Sequence, residues 1–304
     1  MNIHYRKTEY KDLNQIFCLF ELIFKKKISK KYYLDRYYIK NSFNSFVATK
    51  GFKIIGHVGF IKHYINLNKN YVYSRHSSFV SKNMRKKNIY TNLCQYSYNK
   101  LNNSNNLMGI LVFPNQQNYI ATNKKFSVKY LDSKVSYYYP NIQYHSKKKH
   151  MILDSKIINK FVKLNTKDDF FYKKLLFFKF NYLNQNETFY FFQNDNDIII
   201  YNIKKNKDKK HFYILDSTCS GYSYYKIIKD FIENSLENNT KIYLWFNYQD
   251  KKYIKNFKSF GFIKSSKIFN IGVIVLNNKI FKIYDKSKYK SFLMGDTDVF
   301  HNID

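Results

Sequence analysis

A basic turn between two regular elements holds the residues with the clearest chemical potential. Residues 80–88, which read Val-Ser-Lys-Asn-Met-Arg-Lys-Lys-Asn, end an apolar strand pattern, and a helical pattern follows at once from Ile89. The first amides of a helix have no partner within it, and the helix dipole makes this end positive. Such a turn can hold a pyrophosphate, with Arg85, Lys86 and Lys87 adding charge. The alternative is an ordinary solvated loop.

Alternating strand and helix patterns flank this turn and must position it. Period-two apolar runs predict strands at residues 3–6, 45–49, 54–61, 71–81, 107–113 and 134–139. Helical periods predict a helix capped by Asp12, a second over residues 89–101 and a third over residues 116–125. Hairpins come first and strand–helix–strand units later, which indicates an α/β chain with an α+β-like mixed sheet.

The second half of the chain repeats this order of strand and helix patterns. Strands are predicted at residues 188–193, 197–203, 212–217, 241–246 and 267–276, with helices at 222–235 and 250–259. The segment 123–128 and the segment 256–262 each follow a short helix and precede a strand. We therefore predict an internal duplication with two domains, 1–140 and 141–304, joined by residues 140–150.

The basic turn resembles the coenzyme A loop of the GNAT acetyltransferases, written R/Q-x-x-G-x-G/A after a V-x-P-x-Y-like strand end. Val80 matches the strand position that pairs with the pantetheine arm in that family, and Arg85 matches the leading Arg. Asn88 stands at the first Gly and tolerates left-handed backbone better than most residues. Ile89 matches the apolar position after it. Tyr90 replaces the second Gly, and we expect it to narrow the pyrophosphate site.

Two further segments extend the resemblance. Residues 113–119 with Phe126-Ser127-Val128 resemble the G-F-P-N-x-x-S/A-x element and closing L-G-F of the family, and Asn115 matches the Asn near the coenzyme A arm. Residues 29–41 resemble the W-K-Y-x-x-N-P segment of GNAT proteins from bacterial surface-polysaccharide and sugar-modification loci. The resemblance implies a GNAT acyl-CoA N-acyltransferase fold in two tandem lobes. The second lobe is a degenerate copy, because Thr218-Cys219-Ser220-Gly221 replaces the basic turn.

The resemblance also implies a cofactor site and a co-substrate. Acetyl-CoA is the expected donor, with another acyl-CoA as the alternative. The residues that the resemblance assigns to acyl-CoA binding are Phe79, Val80, Ser81, Arg85, Lys86, Lys87, Asn88, Ile89, Tyr90, Thr91 and Asn115.

Acyl transfer from a thioester to an amine needs a base for the amine and an acid for the thiolate. No Asp or Glu lies between Asp35 and Asp132, so the carboxylate base common in the family cannot come from this stretch. Histidine can replace it, because its ordinary pKa lies near neutrality. We predict His76 as the base and Tyr119 as the acid, with His57 and His63 as weaker candidates for the base. A structural role for His76 is the alternative.

Together these features predict an acyl-CoA-dependent N-acyltransferase acting by direct transfer on an amino group. The implied acceptor is a sugar, a nucleotide-sugar or another small metabolite. Two alternatives stay open. The replaced glycines and the missing carboxylate fit a catalytically silent GNAT-like binding module, and the net charge of +32 fits an RNA-directed acyltransferase.

The charge has a second explanation in composition. The chain has 53 Lys plus Arg against 21 Asp plus Glu, and it is rich in Lys, Asn, Ile, Tyr and Phe, as AT-rich genomes encode. Since the basic residues are spread along the chain in short runs, we favour this bias over a dedicated nucleic-acid site. The positive field would still attract a polyanionic ligand such as coenzyme A.

Cysteine spacing and hydropathy set the expected compartment. Cys18, Cys94 and Cys219 have neither disulfide-framework nor zinc spacing, so we expect a reducing compartment and no metal. The first residues contain no apolar signal core, and no window approaches 18 uninterrupted apolar residues. The sequence therefore predicts a cytoplasmic protein without a membrane span.

Overall fold

The structure, a computed structural model, describes residues 2–39, 41–65, 69–113, 125–140, 150–164, 182–183, 187–206, 209–235, 240–246 and 252–285. The helices are α1 (Leu13–Phe24), α2 (Lys30–Tyr37), α3 (Ile89–Leu101), α4 (Ser155–Leu164), α5 (Gly221–Ser235), α6 (Ile254–Ser259) and α7 (Asn278–Asp285). The strands are β1 (His4–Lys7), β2 (Tyr38–Ile39), β3 (Ser42–Phe43), β4 (Ser45–Lys50), β5 (Lys53–Tyr64), β6 (Tyr71–Val80), β7 (Leu107–Val112), β8 (Lys129–Tyr139), β9 (Met151–Ile152), β10 (Phe189–Asn194), β11 (Asp197–Asn206), β12 (Lys209–Ser217), β13 (Thr240–Leu244) and β14 (Ile263–Val275).

The described residues form two compact units. The first unit holds residues 2–112, 125–129 and 272–285, and the second holds residue 113 and residues 130–271. The last four residues of β14 therefore belong to the first unit. The predicted division into 1–140 and 141–304 stays a prediction.

The first unit is built on a mixed sheet in the order β1-β4-β5-β6-β7-β14. All neighbours are antiparallel except β6 and β7, which are parallel and connected through α3. Apolar residues of α1 and α2, among them Leu13, Ile16 and Tyr33, form one buried cluster with Phe79 of β6. On the opposite side of the strands, the aromatic ring of Phe60 contacts Tyr98 of α3.

In the second unit the strands follow the order β8-β13-β12-β11-β10-β9, with both parallel and antiparallel neighbours. Strands β12 and β13 are parallel and connected through α5, as β6 and β7 are through α3. Ile228 and Phe231 of α5 belong to one buried cluster with residues of the sheet. Ile158 and Phe161 of α4 belong to a second buried cluster, which includes Trp245. Helices thus cover both faces, as the strand–helix–strand order predicts.

Most predicted elements are confirmed, and α3 has the predicted bounds. Asp12 is the N-cap residue of α1, as predicted, but its carboxylate makes no capping bond to that helix. It accepts bonds from the Arg6 guanidinium at 2.6 and 2.8 Å and from the Glu9 amide instead. Helix α2 was not predicted from the sequence, although Ser29 caps it by accepting a bond from the Tyr32 amide. The helix predicted over residues 116–125 lies almost entirely outside the described residues.

Gly109 allows β14 to lie close to β7. A Cβ at this position would lie 2.3 Å from the Ile274 carbonyl oxygen, so only glycine fits without a shift of the backbone. The end of β14 pairs with β7 from Gly272↔Val112 to Val275↔Gly109. This pairing completes the sheet of the first unit.

Among the described residues, no helix is both long and apolar enough to cross a membrane.

Candidate functional site

The turn between β6 and α3 adopts the tight conformation that the sequence predicts. A short 3-10 turn spans Lys82–Met84, and Arg85 returns to extended backbone. Lys86 and Asn88 both have left-handed backbone, with φ of 63° and 57°. Asn88, which stands at the position of the first Gly in the resemblance, thus makes the turn as expected.

Helix α3 starts directly at Ile89 and presents its open end to this turn. The Asn92 amide bonds to the Asn88 carbonyl at 2.9 Å, which closes the first helical turn. The amides of Ile89, Tyr90 and Thr91 therefore have no acceptor within the helix. Thirteen residues of helix give this end a positive partial charge, so it favours an anion.

Three exposed cationic side chains surround the helix start, namely Arg85, Lys86 and Lys87. The Nε of Arg85 donates to the Val80 carbonyl at 3.3 Å, which fastens the turn to the end of β6. Lys125 donates to the Thr91 hydroxyl at 3.0 Å and adds a fourth cation near the first helical turn. We call Arg85, Lys86, Lys87 and Lys125, together with the open start of α3, the cationic cradle.

The strand that leads into the cradle has an open edge. β6 pairs with β7 only from Tyr71↔Leu107 to Ser74↔Leu111, whereas its pairing with β5 continues to Gly56↔Val80. Within the described residues, the stretch from Arg75 to Val80 therefore has no ladder partner on its β7 side. Backbone groups left open in this way can pair with an extended ligand, as a sheet edge pairs with an added strand. Phe79 and Val80, two predicted binding residues, lie at this edge, and Ser81 directly follows it.

Tyr90 does not narrow the cradle as expected. Its ring lies 5.4 Å from the Arg75 guanidinium of β6, so the side chain is directed under α3. Burial raises the pKa of the Tyr90 hydroxyl, although Arg75 acts in the opposite direction. The bulky residue at the second Gly position thus packs into the first unit.

Arg75 is partly buried, and its side-chain contacts among the described residues are to uncharged groups. The guanidinium donates to the Tyr98 hydroxyl at 2.7 Å and lies 3.9 Å from Cys94 Sγ, and Tyr90, Cys94 and Tyr98 share one face of α3. Burial raises the pKa of the Cys94 thiol even though Arg75 favours the thiolate. Cys94 therefore stays protonated at neutral pH and is unsuited to act as an acyl-accepting nucleophile.

His76, the predicted base, lies on β6 within a group of buried polar residues. Its Nε2 is 2.5 Å from the Ser74 hydroxyl, and Nε2 of His63 reaches the same oxygen at 2.5 Å. Ser74 is fully buried, and each histidine is 6% exposed. The structure thus joins His76 to His63, which the sequence analysis treated as a separate and weaker candidate.

The remaining predicted site residues cannot be placed. Asn115 and Tyr119 lie outside the described residues, directly after Phe113 at the end of β7. Sequence reasoning missed Arg75 and Ser77. Ser77 has left-handed backbone with φ of 45°, and a serine carries no sequence signal for that conformation.

Similar folds are found among solved structures. A GCN5-related N-acetyltransferase from Anabaena variabilis matches 90% of this chain and 73% of its own, with a TM-score of 0.65 at 12% identity. This chain has the GNAT fold. A conserved protein of unknown function from Enterococcus faecalis V583, described as a probable N-acyltransferase, has a TM-score of 0.65 at 10% identity over 91% of this chain and 73% of its own.

A third solved structure also has a similar fold, whereas comparisons at the sequence level found no match. A GCN5-related N-acetyltransferase from Kribbella flavida has a TM-score of 0.55 at 7% identity, covering 88% of this chain and 70% of its own. No protein-family model matches the sequence. No curated protein matches it either. The likeness therefore lies in the fold, which the sequence resemblance predicted.

Proposed function

We propose that this chain is an acyl-CoA-dependent N-acyltransferase, with acetyl-CoA as the donor. The observation that carries the proposal is the open edge of β6, which leads directly into the cationic cradle at the start of α3. An acyl-CoA combines an extended amide-bearing arm with a pyrophosphate, so it matches both parts in the order in which they occur. The GNAT fold of the neighbouring structures supports this assignment.

The chain's own residues suit each part of the donor. The backbone of Phe79, Val80 and Ser81 would pair with the amide groups of the pantetheine arm. The amides of Ile89, Tyr90 and Thr91 would bind the pyrophosphate, with Arg85, Lys86 and Lys87 supplying charge. Asn88 gives the turn its required backbone, and Asn115 is assigned to the arm by resemblance alone.

We propose direct transfer to an amine. The amine nitrogen attacks the thioester carbon, its proton passes to His76, and the carbon–sulfur bond breaks as Tyr119 protonates the leaving thiolate. Ser74 and His63 would hold His76 and extend a path for its proton. The acceptor we favour is an amino group on a sugar, a nucleotide-sugar or a similar metabolite.

A silent binding module is the second candidate. It is favoured by the absence of any carboxylate between Asp35 and Asp132 and by the burial of His76. Such a module would bind acyl-CoA at the same cradle but would not release free coenzyme A in the presence of amines.

Calorimetric titration of acetyl-CoA tests the cradle. Micromolar binding is expected for the wild type, and a loss of at least tenfold for Arg85→Ala combined with Lys87→Ala. Lys69→Ala combined with Lys100→Ala is the matched control, because it removes the same charge where β6 begins and α3 ends. Absence of binding by the folded wild type would refute the proposal.

Thiol release in the presence of amino sugars then separates the enzyme from the silent module. Release that depends on an amine and falls steeply in His76→Ala supports catalysis with His76 as the base. Binding without any amine-dependent release would support the silent module.

A further inference from the structure

A β-bulge interrupts the pairing of β5 and β6 just before the proposed pantetheine edge. His57 pairs with Phe79 and Gly59 pairs with His76, so Val58 alone faces the two residues Ser77 and Ser78. The bulge lies between Ser74, where the pairing of β6 with β7 ends, and Val80, the last residue of β6 before the cradle. A bulge changes the direction of a strand, so this one sets how the open edge is presented.

The bulge needs support because Ser77 is held in an unfavourable conformation. Its φ of 45° lies in the left-handed region, which costs a non-glycine residue energy. A conformation of this kind persists only where surrounding contacts fix it. Those contacts come from β5 and α2.

His57 makes the main contact. Its Nδ1 lies 2.8 Å from the Ser77 carbonyl oxygen, and a carbonyl can only accept, so Nδ1 carries the proton. Its Nε2 lies 2.8 Å from the Tyr33 hydroxyl, which donates to it in the neutral ring. The ring also stacks on Phe79 at 5.1 Å and is fully buried. His57 thus joins the bulge to α2.

Two tyrosines of α2 complete the support. The Tyr37 hydroxyl donates to Ser77 Oγ at 2.9 Å, so α2 contacts the bulge directly. The Tyr33 hydroxyl lies 2.9 Å from Ser45 Oγ, which lies 2.9 Å from Thr8 Oγ1. This hydrogen-bonded chain connects the bulge to the strand β4 at the other side of β5.

We propose that His57 is a positioning residue for acyl-CoA binding: it fixes Ser77 in left-handed backbone and so directs the edge at Phe79 and Val80 toward the pantetheine arm. This inference rests on the function proposed above. It also assigns His57 a role other than that of a base, because both ring nitrogens are engaged and no face of the ring reaches solvent. Burial lowers the pKa of His57 to about 4, which keeps the ring neutral as this bonding requires.

The test uses glycine, which adopts left-handed backbone at little cost. His57→Phe keeps an aromatic ring against Phe79 but loses both ring nitrogens. We expect it to weaken acetyl-CoA binding about tenfold in calorimetry. Adding Ser77→Gly should restore binding to within about threefold of the Ser77→Gly single variant, because the bulge no longer needs the support. Adding Ser77→Ala, the matched control, should restore nothing.

The outcomes separate this inference from the proposed function. No acetyl-CoA binding by the wild type would refute the function and this inference with it. Normal binding by His57→Phe, or equal rescue by Ser77→Ala, would overturn the inference alone. If His57→Phe does not fold, His57→Asn replaces it, since the Asn amide can still donate to the Ser77 carbonyl. Near-normal binding by His57→Asn supports the inference, and a tenfold loss that Ser77→Gly does not reverse overturns it.

Discussion

His57 shows how burial changes the chemistry of a single side chain. From the sequence, His57 was a weaker candidate for the base, because the ordinary pKa of histidine lies near neutrality. Desolvation instead lowers its pKa to about 4, and its two nitrogens are bonded to Ser77 and Tyr33. At the residue scale, burial and two hydrogen bonds thus make His57 unsuited to act as a base, and the role of His76 stays a prediction.

This pKa predicts a dependence of stability on pH. Between pH 6.5 and about pH 4 the unfolded chain binds a proton at His57 that the folded chain does not, so the free energy of unfolding falls as the pH is lowered. The full effect is about 3 kcal/mol. Urea unfolding should show that wild type loses more stability than His57→Phe between pH 7 and pH 4.5. The titratable side chains that face the ring from α2 are Tyr33 and Tyr37. Burial raises the pKa of the Tyr33 hydroxyl, so Tyr33 stays protonated throughout this range.

Some features of single residues could be predicted from the sequence, and others could not. Asn88 was predicted to make the left-handed turn from its place at the first Gly of the resemblance and from its residue type, and it does. The direction of the Tyr90 side chain could not be predicted, because it depends on Arg75, which lies fifteen residues earlier on another element. The role of His57 depends on α2, a helix whose tyrosine-rich sequence gave no clear apolar period.

At the element scale, the start of α3 depends on the backbone of Asn88. Asn88→Gly should leave the helix and the cradle intact and raise stability by up to about 1 kcal/mol, because glycine tolerates φ of 57° better than asparagine. Asn88→Ala should lower it by about 1 kcal/mol. Thermal unfolding measures both. A more stable alanine variant would show that the left-handed conformation does not matter here.

The pairing of β7 with β14 depends on a glycine in a different way. Gly109→Ala places a methyl group against the Ile274 carbonyl, and we expect it to lower the free energy of unfolding by about 3 kcal/mol. Gly56→Ala is the matched control, since a Cβ there has no contact closer than 3.3 Å. Its cost should stay near 1 kcal/mol. Equal losses in urea unfolding would contradict the predicted difference.

Strands and helices were predicted well wherever the apolar period was strong, as in β5, β6 and α3. What the sequence could not show is the pairing of distant segments. The end of β14 lies more than 160 residues after β7, and no local pattern links Gly272 to Val112. The open edge of β6 likewise follows from the length of its ladder with β7, which is a property of tertiary structure.

At the scale of the whole molecule, the charge of +32 predicts a salt dependence. Acetyl-CoA is an anion, and exposed Lys and Arg side chains are screened by salt. Its affinity should therefore fall roughly tenfold between 50 and 500 mM NaCl in calorimetric titrations. Binding of RNA with a steeper salt dependence would favour the RNA-directed alternative. An acetyl-CoA affinity that does not change with salt would contradict a cationic cradle.

The first unit combines the first part of the chain with residues near its end, so a fragment that omits those later residues is incomplete. This unit includes residues 272–285, because the end of β14 pairs with β7. In addition, the side-chain Nδ2 of Asn277 donates to the Asn105 carbonyl at 3.0 Å. A fragment of residues 1–140 leaves the β7 edge without this partner and exposes buried residues such as Ile110 and Leu111. We expect that fragment to aggregate or to lack cooperative unfolding by circular dichroism.

The same fragment with residues 272–285 joined by a flexible linker should unfold cooperatively, whereas a fusion carrying a scrambled version of that segment should not. Cooperative unfolding of residues 1–140 alone would instead show that the predicted boundary marks an independently stable domain.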